Sequence, residues 1–135
     1  MPTKPREERR PFLAGLDLTA VAAGVVVSFA LTFVASTIMA LLLYNMIMSD
    51  NRLPLLEDLA GLISVVLGGW YAARRAETSG WLHGGVTGVV YVLIALTLGL
   101  ALYSVPFILV TSLKRLGAGF LLGALGGVLG VNLRR

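Results

Sequence analysis

Four long uncharged stretches organise the chain. Leu18–Ser49 runs for 32 residues without Asp, Glu, Lys or Arg, Leu59–Ala73 for 15, Thr78–Leu113 for 36 and Leu116–Leu133 for 18. A helix that crosses a bilayer needs about 20 mostly apolar residues. The first and third stretches fall short of the roughly 40 residues that two spans and a turn would need. The pattern therefore predicts four helices, at about 17–49, 54–75, 79–103 and 114–133. The first would exceed the ~30 Å hydrocarbon core and must tilt or project. Pro54 suits the opening of the second. Glu57 and Asp58 then fall near the positive end of its dipole. Thr78-Ser79 is a capping signal for the third helix. Pro106 ends or kinks that helix, leaving Val105–Leu113 as a short interfacial piece. The basic leader Lys4–Arg10 would suit a signal peptide, but an apolar run this long is an uncleaved anchor.

Composition sharpens the picture. The chain is 57% hydrophobic and 13% charged, with a mean hydropathy of +0.87. Soluble domains carry about 25% charged residues. This chain cannot cover a water-facing surface, which excludes an ordinary soluble enzyme, a disordered tail and a nucleic-acid-binding module. Its net charge of +4 comes from basic residues that sit beside apolar runs. There is no cysteine, so disulfides and thiolate metal sites are excluded. The expected fold is an all-α integral membrane domain over residues 1–135, with residues 1–16 as a basic cytoplasmic leader. With four spans, Lys4, Arg6, Arg9, Arg10, Arg74, Arg75, Arg134 and Arg135 share one side, against Arg52, Lys114 and Arg115 on the other. That excess places both termini in the cytoplasm. Phe12, Trp70, Tyr71 and Trp81 are expected at the inner boundary, and Tyr44, Tyr103, Phe107 and Phe120 towards the outer one.

Small residues recur every fourth position in all four spans. Ala20, Gly24, Ser28, Thr32, Ser36 and Ala40 do so in the first, and Ser64, Gly68, Ala72 and Ala76 in the second. Gly80, Gly84 and Gly88 open the third; Gly119, Gly123 and Gly127 mark the fourth, with Gly126 and Gly130 beside them. Such stripes let helix backbones approach in lipid. They serve either a tight bundle or the face of a second subunit, which makes homo-oligomers or another membrane protein the expected partners besides lipid. Leu67-Gly68-Gly69 and Leu125-Gly126-Gly127, with Gly24-Val25-Val26 and Gly88-Val89-Val90, read as a faint repeat of two parallel hairpins.

The block Gly68-Gly69-Trp70-Tyr71-Ala72-Ala73-Arg74-Arg75-Ala76, followed by Gly80-Trp81-Leu82-His83-Gly84, carries a resemblance together with the ending Gly126–Leu133. It resembles the YrzE-like family of small bacterial membrane proteins. The resemblance implies four helices and a membrane location. It carries over no activity and no catalytic residue.

Candidate chemistry is sparse. His83, the one histidine, and Asp17 fall at similar depth and could meet as an ion pair or a proton-responsive site. Asn132, just inside the end of the fourth helix, joins them as a polar candidate that caps carbonyls or bonds to a neighbour. Arg74 and Arg75 would meet anionic headgroups or a partner, besides setting topology. One histidine and no cysteine leave too few ligands for a metal, and no cofactor is expected. No nucleophile elbow, H-E-x-x-H or phosphate loop occurs, and the midplane near Thr32, Val65, Val92 and Ala124 holds no ionisable partner. A non-enzymatic accessory, assembly or oligomerising subunit is the first expectation. The alternative is a small oligomeric transporter or channel, with a path lined by Ser28, Thr32, Ser36, Ser64 and Thr87.

Overall fold

A computed structural model describes residues 15–45, 50–76, 79–103 and 109–133. It contains α1 (Leu18–Tyr44), a 3-10 turn at Asp50–Arg52, α2 (Leu53–Ala76), α3 (Gly80–Tyr103) and α4 (Leu109–Asn132). All four α-helices are long and apolar enough to cross a membrane. The chain is a multi-pass, all-helical membrane protein. Two boundaries differ from the sequence expectation by more than one residue. α1 ends at Tyr44, where Asn45 caps it by donating its side-chain amide to the Leu41 carbonyl at 2.7 Å. α4 begins at Leu109, so residues 109–113 are its first turn and not an interfacial piece. Lys114 and Arg115 therefore lie within a helix, where long basic side chains can lay their stems along apolar surface and keep their charge at its edge. Glu57 and Asp58 fall in the second turn of α2, past the strongest part of the dipole. The basic leader, Pro106, Phe107, Arg134 and Arg135 lie outside the described residues.

α1 and α3 run antiparallel to α2 and α4 respectively. The starts of α1 and α3 meet the ends of α2 and α4 at one end of the bundle, called here the closed end. α2 packs against all three other helices, and α3 packs most closely against α4. α1 leans on α2 and, less extensively, on α3.

Packing at the closed end is backbone against backbone. Gly80, Gly84 and Gly88 of α3 pair with Gly127, Gly123 and Gly119 of α4 in antiparallel register. At Gly80, an added methyl carbon would sit 2.5 Å from the Gly127 carbonyl oxygen. The second glycine row of α4 serves α2: Gly126 lies on the Val66 carbonyl, and Gly130 would place a methyl 2.5 Å from that of Trp70. Gly69 lies against Gly123. On the other side of α2, Gly68 and Ala72 meet Gly24 and Ser28 of α1, and a methyl on Gly24 would fall 2.7 Å from both Ala72 Cβ and the Gly68 oxygen. Two adjacent rows on α4 thus hold two neighbours at once. The contacts gain dispersion energy and aim glycine Cα–H groups at carbonyls, each such contact being worth about 0.5–1 kcal/mol.

The earlier start of α4 also moves Phe120. It sits mid-helix rather than at the outer boundary, with its ring over Gly85, where a methyl would lie 2.6 Å from the ring. Outward, Phe33, Leu41, Leu55, Leu102, Leu121 and similar side chains are exposed, as lipid-facing groups should be. Replacing Gly84 or Gly123 by leucine should lower stability by about 1–3 kcal/mol or more, because a neighbouring backbone cannot yield. Gly99→Ala and Gly117→Ala, where nothing lies within 4 Å, should stay within about 0.5 kcal/mol of the parent. Unfolding in detergent, followed by circular dichroism, checks both outcomes.

Candidate functional site: a polar latch and an open crevice

Asp17 precedes α1 with an extended backbone, and its carboxylate caps the helix. Oδ1 accepts from the Thr19 backbone N–H at 2.9 Å, the Thr19 hydroxyl at 2.7 Å and the Ala20 N–H at 3.3 Å. The Thr19 hydroxyl and the Ala20 amide are the chief reasons the carboxyl is held below the usual aspartate range. Slight desolvation opposes them, and the Thr19 amide adds a little. The ion pair that sequence suggested with His83 does not form, because the carboxylate is engaged at the cap. Instead the Asp17 backbone N–H donates to His83 Nε2 at 2.9 Å. Since Nε2 accepts, Nδ1 carries the ring proton, and it donates to the Ser79 carbonyl at 3.1 Å. The ring is fully buried and neutral, with both nitrogens used. Ser79 has φ +42°, the left-handed region, and its carbonyl also receives the Leu82 and His83 amides at 3.0 and 3.2 Å. A strained residue in front of α3 thereby orients the imidazole that ties α3 to α1.

The other polar candidates stand apart. Asn132 is the last residue of α4 and exposed. Arg74 and Arg75 occupy the last turn of α2, where cations suit the dipole. The Arg74 guanidinium lies 4.7 Å from the centre of the Trp70 ring, a cation–π contact. Arg75 is exposed.

His83, Thr87 and Tyr91 follow one another at four-residue spacing and turn the same face of α3 to α1. The Thr87 methyl would meet a side chain on Gly24 at 3.0 Å. The Tyr91 ring packs on Phe29, with centroids 4.7 Å apart and planes tilted by 41°. Thr32 donates its one hydroxyl proton to the Ser28 carbonyl at 2.9 Å, so the Tyr91 hydroxyl must donate to Thr32 Oγ1, also at 2.9 Å. Tyr91 is the site residue that sequence reading missed. A phenol halfway along an apolar helix needs a partner in lipid, and that need was the available signal.

Above the Tyr91–Thr32 pair the helices part. A crevice of about 350 Å³ opens there, lined from all four helices. Thr32 and Tyr91 form its floor, Leu62, Val92, Ala95 and Leu96 are among its walls, and Glu57, Asp58 and Arg115 stand at its rim. Of the hydroxyls proposed from sequence as a path, Thr32 and Ser36 reach this space. Ser28, Ser64 and Thr87 are buried and donate to the Gly24, Ala60 and His83 carbonyls of their own helices. Below the floor, the glycine contacts close the bundle. Among the described residues, no three metal-ligating side chains gather.

Residues 17–130 match the sequence profile of DUF3792, described as a protein of unknown function. The chain belongs to the DUF3792 family. No curated protein and no solved structure matches it. The matched stretch begins at the residue that caps α1 and ends at the last interhelical glycine of α4, so it contains both the latch and the crevice of this DUF3792 protein. His83→Ala should cost about 1–3 kcal/mol, since it strands the Asp17 amide. Tyr91→Phe should cost only about 0.5–1.5 kcal/mol, since Thr32 keeps its bond to Ser28. Both are read from unfolding in detergent. Because the Asp17 carboxyl is depressed in the fold, its contribution is full above about pH 4 and lost as pH falls below that. Asp17→Asn should flatten this acid limb of a stability–pH curve.

Proposed function

We propose that this DUF3792 protein is a non-enzymatic accessory or assembly subunit of the bacterial cytoplasmic membrane, with both termini inside. The YrzE-like kinship and the duplicated-hairpin origin belong to the same reading. Orientation rests on the Lys and Arg excess at the closed end. The hairpin origin draws on the Leu-Gly-Gly and Gly-Val-Val strings shared by the two halves.

One observation carries the functional reading: the two ends of the bundle are built differently. The closed end is locked by glycines at backbone distance and by the His83 latch. The open end is parted around a crevice with charged groups at its rim. A rigid base with a receptive far end suits a protein that holds something and does not transform it. The small-residue rows once available for a partner are turned towards helices of the same chain. A partner, whether a second copy or another membrane protein, would instead meet broad faces such as the open-end part of α1, where no residue from Phe29 to Tyr44 is buried.

The transporter reading draws on the same crevice. Its weakness is the closed end, where the remaining hydroxyls are engaged within their own helices. Native mass spectrometry after gentle extraction tests the assembly reading. A defined copy number or a stoichiometric companion protein is expected. A lone chain that carries solute across reconstituted liposomes would replace this reading with the transporter.

A further inference from the structure

The crevice has a polar floor, apolar walls and a charged rim, and these three features together specify a ligand. Two carboxylates, Glu57 and Asp58, stand on α2, and one guanidinium, Arg115, stands on α4 across the opening. All three are exposed, and no ion pair joins them among the described residues. They are left to a molecule that brings both signs of charge. From Glu57 down to Val65 on the crevice face of α2 is eight residues, or about 12 Å of helix. The space between is bounded by Leu62, Ala95 and Leu96 and ends on a tyrosine hydroxyl already bonded to Thr32. Such a space suits an alkyl tail, since hydrocarbon fills an apolar gap in a bilayer at less cost than water. A volume of about 350 Å³ is within the range of small-ligand sites.

We propose that the crevice binds a phosphoethanolamine lipid from the leaflet facing the open end. One tail enters the crevice, the phosphate meets Arg115, and the ammonium donates to Glu57 and Asp58. Guanidinium and phosphate match in planar, two-point geometry. Carboxylates select an ammonium with N–H donors over a quaternary amine, which has none to give. This inference rests on the open end being the receptive end, and it names what is received.

The test uses the full chain, stripped of lipid in detergent, and lysophospholipids of one chain length with ethanolamine, choline or glycerol heads. Native mass spectrometry and thermal shift report binding. One ethanolamine lipid per chain is expected, held about tenfold more tightly than the choline or glycerol form, as for charge-assisted hydrogen bonds gained or lost. The double change Glu57→Gln with Asp58→Asn should remove that preference, and Arg115→Gln should weaken all three lipids alike, since each brings a phosphate; both should leave the melting temperature of the lipid-free chain unchanged, since these side chains are exposed. Ala95→Phe should fill the crevice and abolish binding of all three lipids. Equal binding of the three heads, a preference that survives the loss of both carboxylates, or binding that Arg115→Gln leaves unchanged overturns the proposal; the rim variants decide the matter even if Ala95→Phe does not fold. Copy number and companion proteins are read from the same spectra. A subunit that assembles without selecting this head refutes only the ligand, and a chain that selects it while remaining alone refutes only the assembly reading.

Discussion

Apolar side chains gain little by leaving lipid for one another, so helices in a bilayer need another reason to stay together. In this protein that reason is the close approach of backbones. Gly84 and Gly123 each occupy the position where the other would carry a side chain, and the pairs above and below repeat the arrangement. Dispersion and Cα–H···O contacts grow steeply as helices close, and only glycine, alanine and serine allow that distance. The bundle's form follows. α4 carries two neighbouring glycine rows and so holds α2 and α3 together, while α2 uses Gly68 and Ala72 on its other side for α1.

The same constraint explains why the two ends differ. Where the glycines that touch a neighbouring helix stop, bulk begins, and the helices separate. On the α3 face turned to α1, polar and aromatic groups take over from glycine: His83 on the Asp17 amide, Thr87 beside Gly24, Tyr91 on Phe29 and Thr32. Each polar atom in this row has a bonding partner, and no buried side-chain nitrogen or oxygen among the described residues is left without one. In a medium without water, that completeness is required. The crevice begins where this row ends, so its floor is the last rung of the α1–α3 interface.

His83 illustrates how a plausible pairing dissolves in three dimensions. A histidine and an aspartate at equal depth suggest an ion pair. Yet Asp17 begins a helix, and the free amides of a helix start compete for its carboxylate at no cost in chain entropy. They win. What remains for His83 is the backbone amide of the same residue, and with it a neutral ring of fixed tautomer.

Several features were legible in the sequence because they depend on composition and spacing alone. Uncharged stretches of sufficient length are helices across a membrane whatever their neighbours, and so the four spans and the all-helical class could be read directly. Small residues at four-residue spacing mark faces where backbones can meet, but spacing does not say which face meets which. That Gly80, Gly84 and Gly88 belong to α4, and Gly126 and Gly130 to α2, is a matter of helix order around the bundle. The start of α4 was misplaced because Lys114 and Arg115 read as a boundary, although long basic side chains tolerate an interfacial turn. That shift carried Phe120 to the middle of the helix. Tyr91 carries a signal of its own, a phenol in mid-helix, but nothing in the local sequence of Leu62 and Ala95 sets them apart. The crevice they share exists only where four helices, drawn together at one end by glycine, fail to close at the other.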